Sequence, residues 1–263
     1  MKSNTFKIIN KIFKIFCKII SKKQETNFLG TPYGGWYFLN PINAEPITLI
    51  SAGVGEDISF DIEFMSRFNC KVIFIDPTPR AVSHIENVIN NLGNKNKSNY
   101  DLNSGEQSVE SYNLSKIEKE NFSLIKKALF NKSGLTVKFF LPKNINHVSH
   151  SISNFQNNFS TKTDYIEVQT ITLYDIIVDN RIKNIDLLKL DIEGAENQVI
   201  PYLIEKKILP DQILVEFDEL STSFIKPYAK ALVIFIKLIF NNYVLIETND
   251  FPNFLFVKKG MVN

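Results

Sequence analysis

The sequence predicts an α/β fold, a mostly parallel sheet with helices on both faces, and three stretches carry that prediction. Ile47-Thr48-Leu49-Ile50 is a largely β-branched apolar run that ends at the small-residue turn Ser51-Ala52-Gly53-Val54-Gly55. Lys71-Val72-Ile73-Phe74-Ile75-Asp76 is a second such run, closed by an acid. Ile185-Asp186-Leu187-Leu188-Lys189-Leu190 is a third; it leads into Asp191, and Gly194 turns the chain into another helical pattern. Apolar runs of this kind suit strands buried on both faces, and their interleaving with helical patterns implies βαβ units.

At 263 residues with 44% hydrophobic side chains, the chain can bury one sizeable core. A basic amphipathic N-terminal helix is expected at 1–27 and one α/β domain at 28–263. Lys and Arg number 30 against 28 Asp and Glu, but residues 1–23 hold seven lysines and no acid, which leaves the body mildly acidic. That distribution argues against a general nucleic-acid-binding surface. Cys17 and Cys70 offer neither a disulfide framework nor metal-ligand spacing, so a reducing, cytoplasmic setting and no metal are expected.

In the N-terminal segment, Ile8, Ile12, Phe16 and Ile19 form one helical stripe with Ile9, Phe13 and Ile20 beside it, and Lys7, Lys11, Lys14, Lys18 and Lys22 form a second. Lysines interrupt each apolar run well short of the ~20 residues a membrane span needs, and no small-residue cleavage site follows. Two arrangements fit: a peripheral contact of residues 2–23 with the inner membrane surface, or an apolar face packed on the domain. Residues 28–46, rich in glycine and proline, predict a loop with a short edge strand at Trp36–Leu39. Its Tyr33, Trp36 and Tyr37 either close over a ligand or pack beneath the loop.

Gly53 and Gly55 free the backbone to approach a ligand. From Asp57, the positions Ile58, Ile62, Met65 and Phe68 predict a helix whose N-terminus faces it. Glu56 and Asp57 suit a pyrophosphate poorly. They suit the ammonium, sulfonium and ribose hydroxyls of S-adenosylmethionine better than they suit NAD; alternatively, they cap the helix. Asp76 closes the second strand, where an acid takes ribose hydroxyls.

After Pro77-Thr78-Pro79, the spacing of Ala81, Ile85, Val88 and Leu92 predicts a crossover helix carrying His84 as a solvated residue, and polar residues 93–105 read as a surface insertion. Phe122–Phe130 and Leu135–Leu141, joined through Asn131-Lys132-Ser133-Gly134, predict a hairpin. Residues 142–163 are polar and patternless, as a binding loop of that length would be. Their His147 and His150 are either solvated or available to a proton or a metal.

The third strand places Asp191, Glu193 and Glu196 at a carboxyl end, where open α/β sheets bind ligands. Asp191 and Glu193 would project to one side of an extended chain and are the candidate catalytic residues. A carboxylate there accepts a proton from an attacking hydroxyl or stabilises a sulfonium, unless these acids cap the helix at Ala195–Lys206 and pair with lysines. Gln212–Phe217 is a further strand, ending near Glu216 and Asp218. Phe224–Phe240 is a long apolar helix, its run Leu232–Ile236 too short to span a membrane, and Tyr243–Glu247 with Asn253–Lys258 form an antiparallel closing pair.

Leu188-Lys189-Leu190-Asp191-Ile192-Glu193-Gly194-Ala195-Glu196 resembles the signature strand and turn of the FkbM family of S-adenosylmethionine-dependent methyltransferases, and the order of elements agrees over about residues 47–258. The resemblance implies a Rossmann-like class I methyltransferase fold: a mostly parallel seven-stranded sheet, an antiparallel C-terminal strand pair, and helices on both faces. By the same likeness Gly53 and Gly55 bind the methionine part of the cofactor, with Glu56 and Asp57 beside them. Asp76 holds the ribose, Ala128 and Leu129 border the adenine, and Asp191 faces the reacting centre. Many members read Asp-Val-Gly-Ala-Asn-x-Gly at the first turn, where this chain has Ser51-Ala52-Gly53-Val54-Gly55-Glu56-Asp57.

The activity so implied is methyl transfer to the hydroxyl of a small-molecule or glycan acceptor, a sugar or natural product. Two alternatives stand beside it. One is an NAD-dependent oxidoreductase, against which the lack of Gly-x-Gly-x-x-Gly speaks; the other is a membrane-associated binding protein with a degenerate cofactor pocket.

Overall fold

The computed structural model describes residues 2–42, 46–143, 149–222 and 224–262, with side chains from Phe6 onward. Its centre is a sheet made from the apolar runs of the sequence: β3 (Ile47–Ala52), β4 (Cys70–Ile75), β5 (Phe122–Ile125), β9 (Leu187–Leu190), β10 (Gln212–Glu216), β11 (Tyr243–Ile246) and β12 (Asn253–Lys258). The order is β11-β12-β10-β9-β3-β4-β5. Strands β10, β9, β3, β4 and β5 are parallel, and β12 runs antiparallel to both β10 and β11. This is the expected seven-stranded Rossmann-like sheet.

Successive side chains of a strand point to opposite faces, and the core divides accordingly. Ile50, Ile73, Leu188 and Ile213 face α1 (Lys2–Ile20), α4 (Leu173–Asp179), α5 (Glu196–Glu205) and α6 (Lys226–Phe240). Leu49, Val72, Phe74, Leu187 and Leu214 face α2 (Ser59–Arg67) and α3 (Pro79–Asn90). Both faces are covered, which is why the central strands lack polar alternation.

The N-terminal helix meets the domain through Phe13, which is buried with its ring 5.3 Å from Tyr228 and 5.6 Å from Phe235. Its end is tied to the sheet edge, where Lys22 N donates to the Leu245 carbonyl and Glu247 N to the Lys22 carbonyl. Among the described residues, no helix is long and apolar enough to cross a membrane.

The predicted 122–141 hairpin does not form. β5 joins the edge of the main sheet, and β6 (Ala128–Leu129) and β7 (Thr136–Phe140) pair with β8 (Tyr165–Ile171), β6 parallel and β7 antiparallel. A turn pattern specifies that the chain reverses; here β8 presents a partner with backbone groups on both sides. The loop at 28–46 contains β1 (Asn27–Leu29) and β2 (Trp36–Phe38), an antiparallel pair. His84 is buried rather than solvated: it lies 3.0 Å from the Tyr112 hydroxyl, which also accepts from Ile58 N. Burial pushes the imidazole down to about 4, so it is neutral near pH 7.

Candidate active site

The carboxyl ends of β3, β4 and β9 open into one cleft of about 810 Å³, part of it open to solvent. Gly53, Gly55, Glu56, Asp57, Asp76, Ala128, Leu129, Asp191 and Glu193 all line it. Residues from four separate stretches of sequence therefore converge at the end of the sheet where ligands bind in open α/β folds.

The glycine turn is held open by its neighbours. Gly53 and Gly55 adopt φ of 72° and 56°, a region L side chains avoid. Asp76 Oδ2 accepts from Val54 N at 3.0 Å and Gly55 N at 3.3 Å, while its Oδ1 accepts from Thr78 N at 2.8 Å and Thr78 Oγ1 at 2.7 Å. Those four donors use most of the acceptor capacity of a carboxylate, and the 3.3 Å contact from Gly55 N is the longest of them. Asp76 thus lies where a ribose-binding acid is expected and also braces the turn beside it.

Glu56 and Asp57 border the cleft with their charges already engaged. Glu56 pairs with Arg80. Asp57 Oδ1 accepts from Ser59 N at 3.0 Å at the start of α2, and its Oδ2 accepts from Thr31 Oγ1 at 2.6 Å. The capping alternative therefore describes Asp57. The same contact draws in the 30–35 loop, whose Tyr33 hangs over the cleft against Gly105.

At the opposite wall, Glu196 turns back on its own loop, Oε1 accepting from Ile192 N at 2.8 Å and Oε2 from Gly194 N at 2.9 Å. Glu193 does not continue an extended strand: it has φ 52°, and Gly194 follows at φ 98°. Its carboxylate accepts from Gln156 Nε2 at 2.9 Å, and Ser151 Oγ donates to its carbonyl at 2.8 Å. Ser149 and His150, from the polar 142–163 stretch, also line the cleft; His147 lies outside the described residues.

Asp191 differs from the other cleft acids. No side chain or amide among the described residues donates a hydrogen bond to its carboxylate. Burial, with Asp76 nearby, raises its pKa to about 6 against the lowering influence of Lys189. Burial and Asp191 raise Glu193 to about 7, and burial with the same neighbour raises Glu216 to about 8. Asp218 is raised well above the ordinary carboxylate range, chiefly by burial and then by Glu193. The sequence reading expects no metal, but oxygens of Asp191, Glu193 and Asp218 lie within 4.8 Å of one another, close enough to share a divalent cation if one binds.

Sequence pattern alone does not single out Lys189. It lies in a strand whose other members are apolar, lines the cleft, and its Nζ sits 3.7 Å from Asp61 Oδ2 with both side chains buried. A lysine inside a four-residue buried strand and an acid one turn from Ile58 on the inner face of α2 are the signals that point to such a pair. The apolar wall comprises Ile75, Ala128, Leu129 and Phe139. Ala128 and Leu129 are placed there by pairing with Thr170 and Ile171.

A family model described as the methyltransferase FkbM domain matches residues 40–245. No curated protein and no solved structure matches the chain.

Proposed function

The chain belongs to the FkbM methyltransferase family, and from that premise we propose that it uses S-adenosylmethionine to methylate a hydroxyl oxygen of a sugar, glycan or small natural product. The observation that carries this reading is the convergence, on one cleft, of a glycine turn, an apolar wall and a carboxylate without a hydrogen-bond donor among the described residues. The residues present fit the cofactor. Gly53 and Gly55 bring bare backbone to the cleft wall beside which its methionine part would sit, Asp76 would face the ribose, and Ala128, Leu129 and Phe139 offer an apolar surface for adenine. The cofactor supplies, when bound, an electrophilic methyl group on a sulfonium. It takes no phosphate, in keeping with the acids at the rim.

The protein's own contribution is position, exclusion of water and proton transfer. Tyr33, Ser149 and His150 line the cleft and take up space that water would otherwise fill. Asp191 is the group that takes the acceptor's proton on its carboxylate: raised to about 6, it is largely ionised at neutral pH and basic enough to receive one. Glu193 stands next to it, at about 7. Family membership sets aside the NAD-dependent alternative.

Calorimetric titration with S-adenosylhomocysteine, run beside NAD, tests the cofactor. Micromolar binding of the first and none of the second is expected; the reverse overturns the reading. Methyl transfer from labelled cofactor to a panel of sugars and polyols then tests the acceptor class, with Asp191→Asn expected to lower kcat by about 100-fold or more while leaving homocysteine-product affinity within a few-fold.

A further inference from the structure

The N-terminal helix satisfies the domain with one face and leaves another without a partner. Phe6, Ile9, Phe13, Phe16 and Ile20 pack on the core, and Asn10 Nδ2 donates to the Tyr228 hydroxyl at 2.9 Å. Ile8, Ile12, Ile15 and Ile19 point away from it, 58%, 60%, 50% and 76% exposed. The two arrangements open to the sequence are therefore compatible, and the stripe expected to combine Ile8, Ile12, Ile19 and Phe16 divides, with Phe16 turned inward and Ile15 outward.

At ~3.6 residues per turn, the outward isoleucines form a single row, and the row of Lys7, Lys11 and Lys18 runs beside it, roughly a quarter turn round the helix. Among the described residues none of these lysines makes an ion pair, and residues 1–23 contain no acid to offset them. Four large apolar side chains at helical spacing, without a role in the core and edged by uncompensated cations, are not the ordinary solvated face of a helix.

We infer that this outer face of α1 docks the protein on an anionic lipid bilayer, the isoleucine row entering the interface and the lysine row meeting the headgroups. Charge decides between this occupant and a second copy of the chain. Two copies joined through their isoleucines would bring two lysine rows together, whereas an anionic surface attracts the lysines while accommodating the isoleucines. Because the helix is fastened through Phe13 and through Lys22 to the sheet edge, docking would hold the domain itself at the surface. The inference does not depend on the methyl-transfer reading.

Flotation of the full chain with phosphatidylcholine vesicles, and with the same vesicles carrying phosphatidylglycerol, tests it. Binding is expected only with the anionic lipid, falling as salt rises. Ile12→Ser/Ile19→Ser and Lys7→Gln/Lys11→Gln/Lys18→Gln should each weaken it by about tenfold or more, with thermal unfolding unchanged. Equal binding to neutral vesicles, or absence of flotation with both, overturns the inference. So does a concentration-dependent dimer in sedimentation that the isoleucine variant abolishes.

Discussion

Gly53 is packed against the backbone of Asp191: a Cβ added to Gly53 would lie 1.6 Å from the Asp191 carbonyl oxygen. The glycine turn and the proposed proton acceptor are thus fixed to each other through adjacent strands, with Ala52 opposite Leu190 just before them. Gly134 has nearly the same conformation, φ 75° against 72°, but open space around its missing Cβ. Alanine at either position meets the left-handed backbone cost of about 1–2 kcal/mol. Gly53→Ala must in addition push two strand ends apart, so its loss in urea unfolding should exceed that of Gly134→Ala by at least about 1–3 kcal/mol. Equal losses would mean that the contact is easily relaxed.

The buried pair Lys189 and Asp61 leads to a second prediction. Lys189 Nζ is 3.7 Å from Asp61 Oδ2, and neither Asp61 oxygen has a hydrogen-bond partner among the described residues. At that distance charge, not a hydrogen bond, joins the two, with Ser51 beside Asp61 and the Trp36 ring 5.8 Å from the ammonium. Lys189→Met should cost about 3–5 kcal/mol because it strands a buried carboxylate. Lys189→Met/Asp61→Leu should cost less than the single variant, since no charge is left behind. Strict additivity in the double-mutant cycle would show that the two charges do not interact.

How much of this was legible beforehand depends on the range of each interaction. Gly53, Asp76 and Asp191 are visible because each ends its own apolar run, a local signal, and the order of strands makes those ends meet. The Lys189–Asp61 pair joins residues on different elements, so its two members look like ordinary helix and strand charges until the sheet is assembled. Asp218 joins Asp191 and Glu193 for the same reason, since β10 lies next to β9. The 122–141 hairpin failed because its turn residues report a reversal but not the partner, and β8 supplied one. Asp57 and Glu196 are cases of a different kind: the residue type does not say which amides the carboxylate takes, and the bonds of Asp57 to Ser59 N and of Glu196 to Ile192 N and Gly194 N emerge only with the fold.

The acid cluster gives a pH dependence with a defined sign. Asp191, Glu193 and Glu216 titrate at about 6, 7 and 8 in the folded chain. Unfolded carboxylates titrate near ~4. Between those values the folded state holds protons that the unfolded state has lost, so stability falls as pH rises through the folded pKa values. His84, lowered to about 4, acts oppositely, but only below its unfolded pKa of ~6.5. The melting temperature should therefore decline from roughly pH 6.5 to 8.5, and Asp218→Asn, which removes one charge from the cluster, should flatten the decline. Turnover should move the other way, rising as Asp191 ionises near 6. A melting temperature that climbs across this window would rule out the raised carboxylates.

Asp76 offers the sharpest separation of a bracing role from a ligand-binding one. Its carboxylate receives four donors, from Val54 N, Gly55 N, Thr78 N and Thr78 Oγ1. Asp76→Asn keeps the shape but turns one acceptor into a donor facing other donors, so either the glycine turn or the Thr78 turn loses its anchor, at a cost of about 1–3 kcal/mol. Thr78→Val removes only the hydroxyl donor and leaves the glycine turn untouched, so it should cost about 1 kcal/mol. If Asp76 also meets the ribose, Thr78→Val frees acceptor capacity on it and should leave S-adenosylhomocysteine affinity within a few-fold, whereas Asp76→Asn should weaken that affinity by at least about tenfold even well below the melting temperature. Equal affinity in Asp76→Asn and the parent would assign the residue to the turn alone.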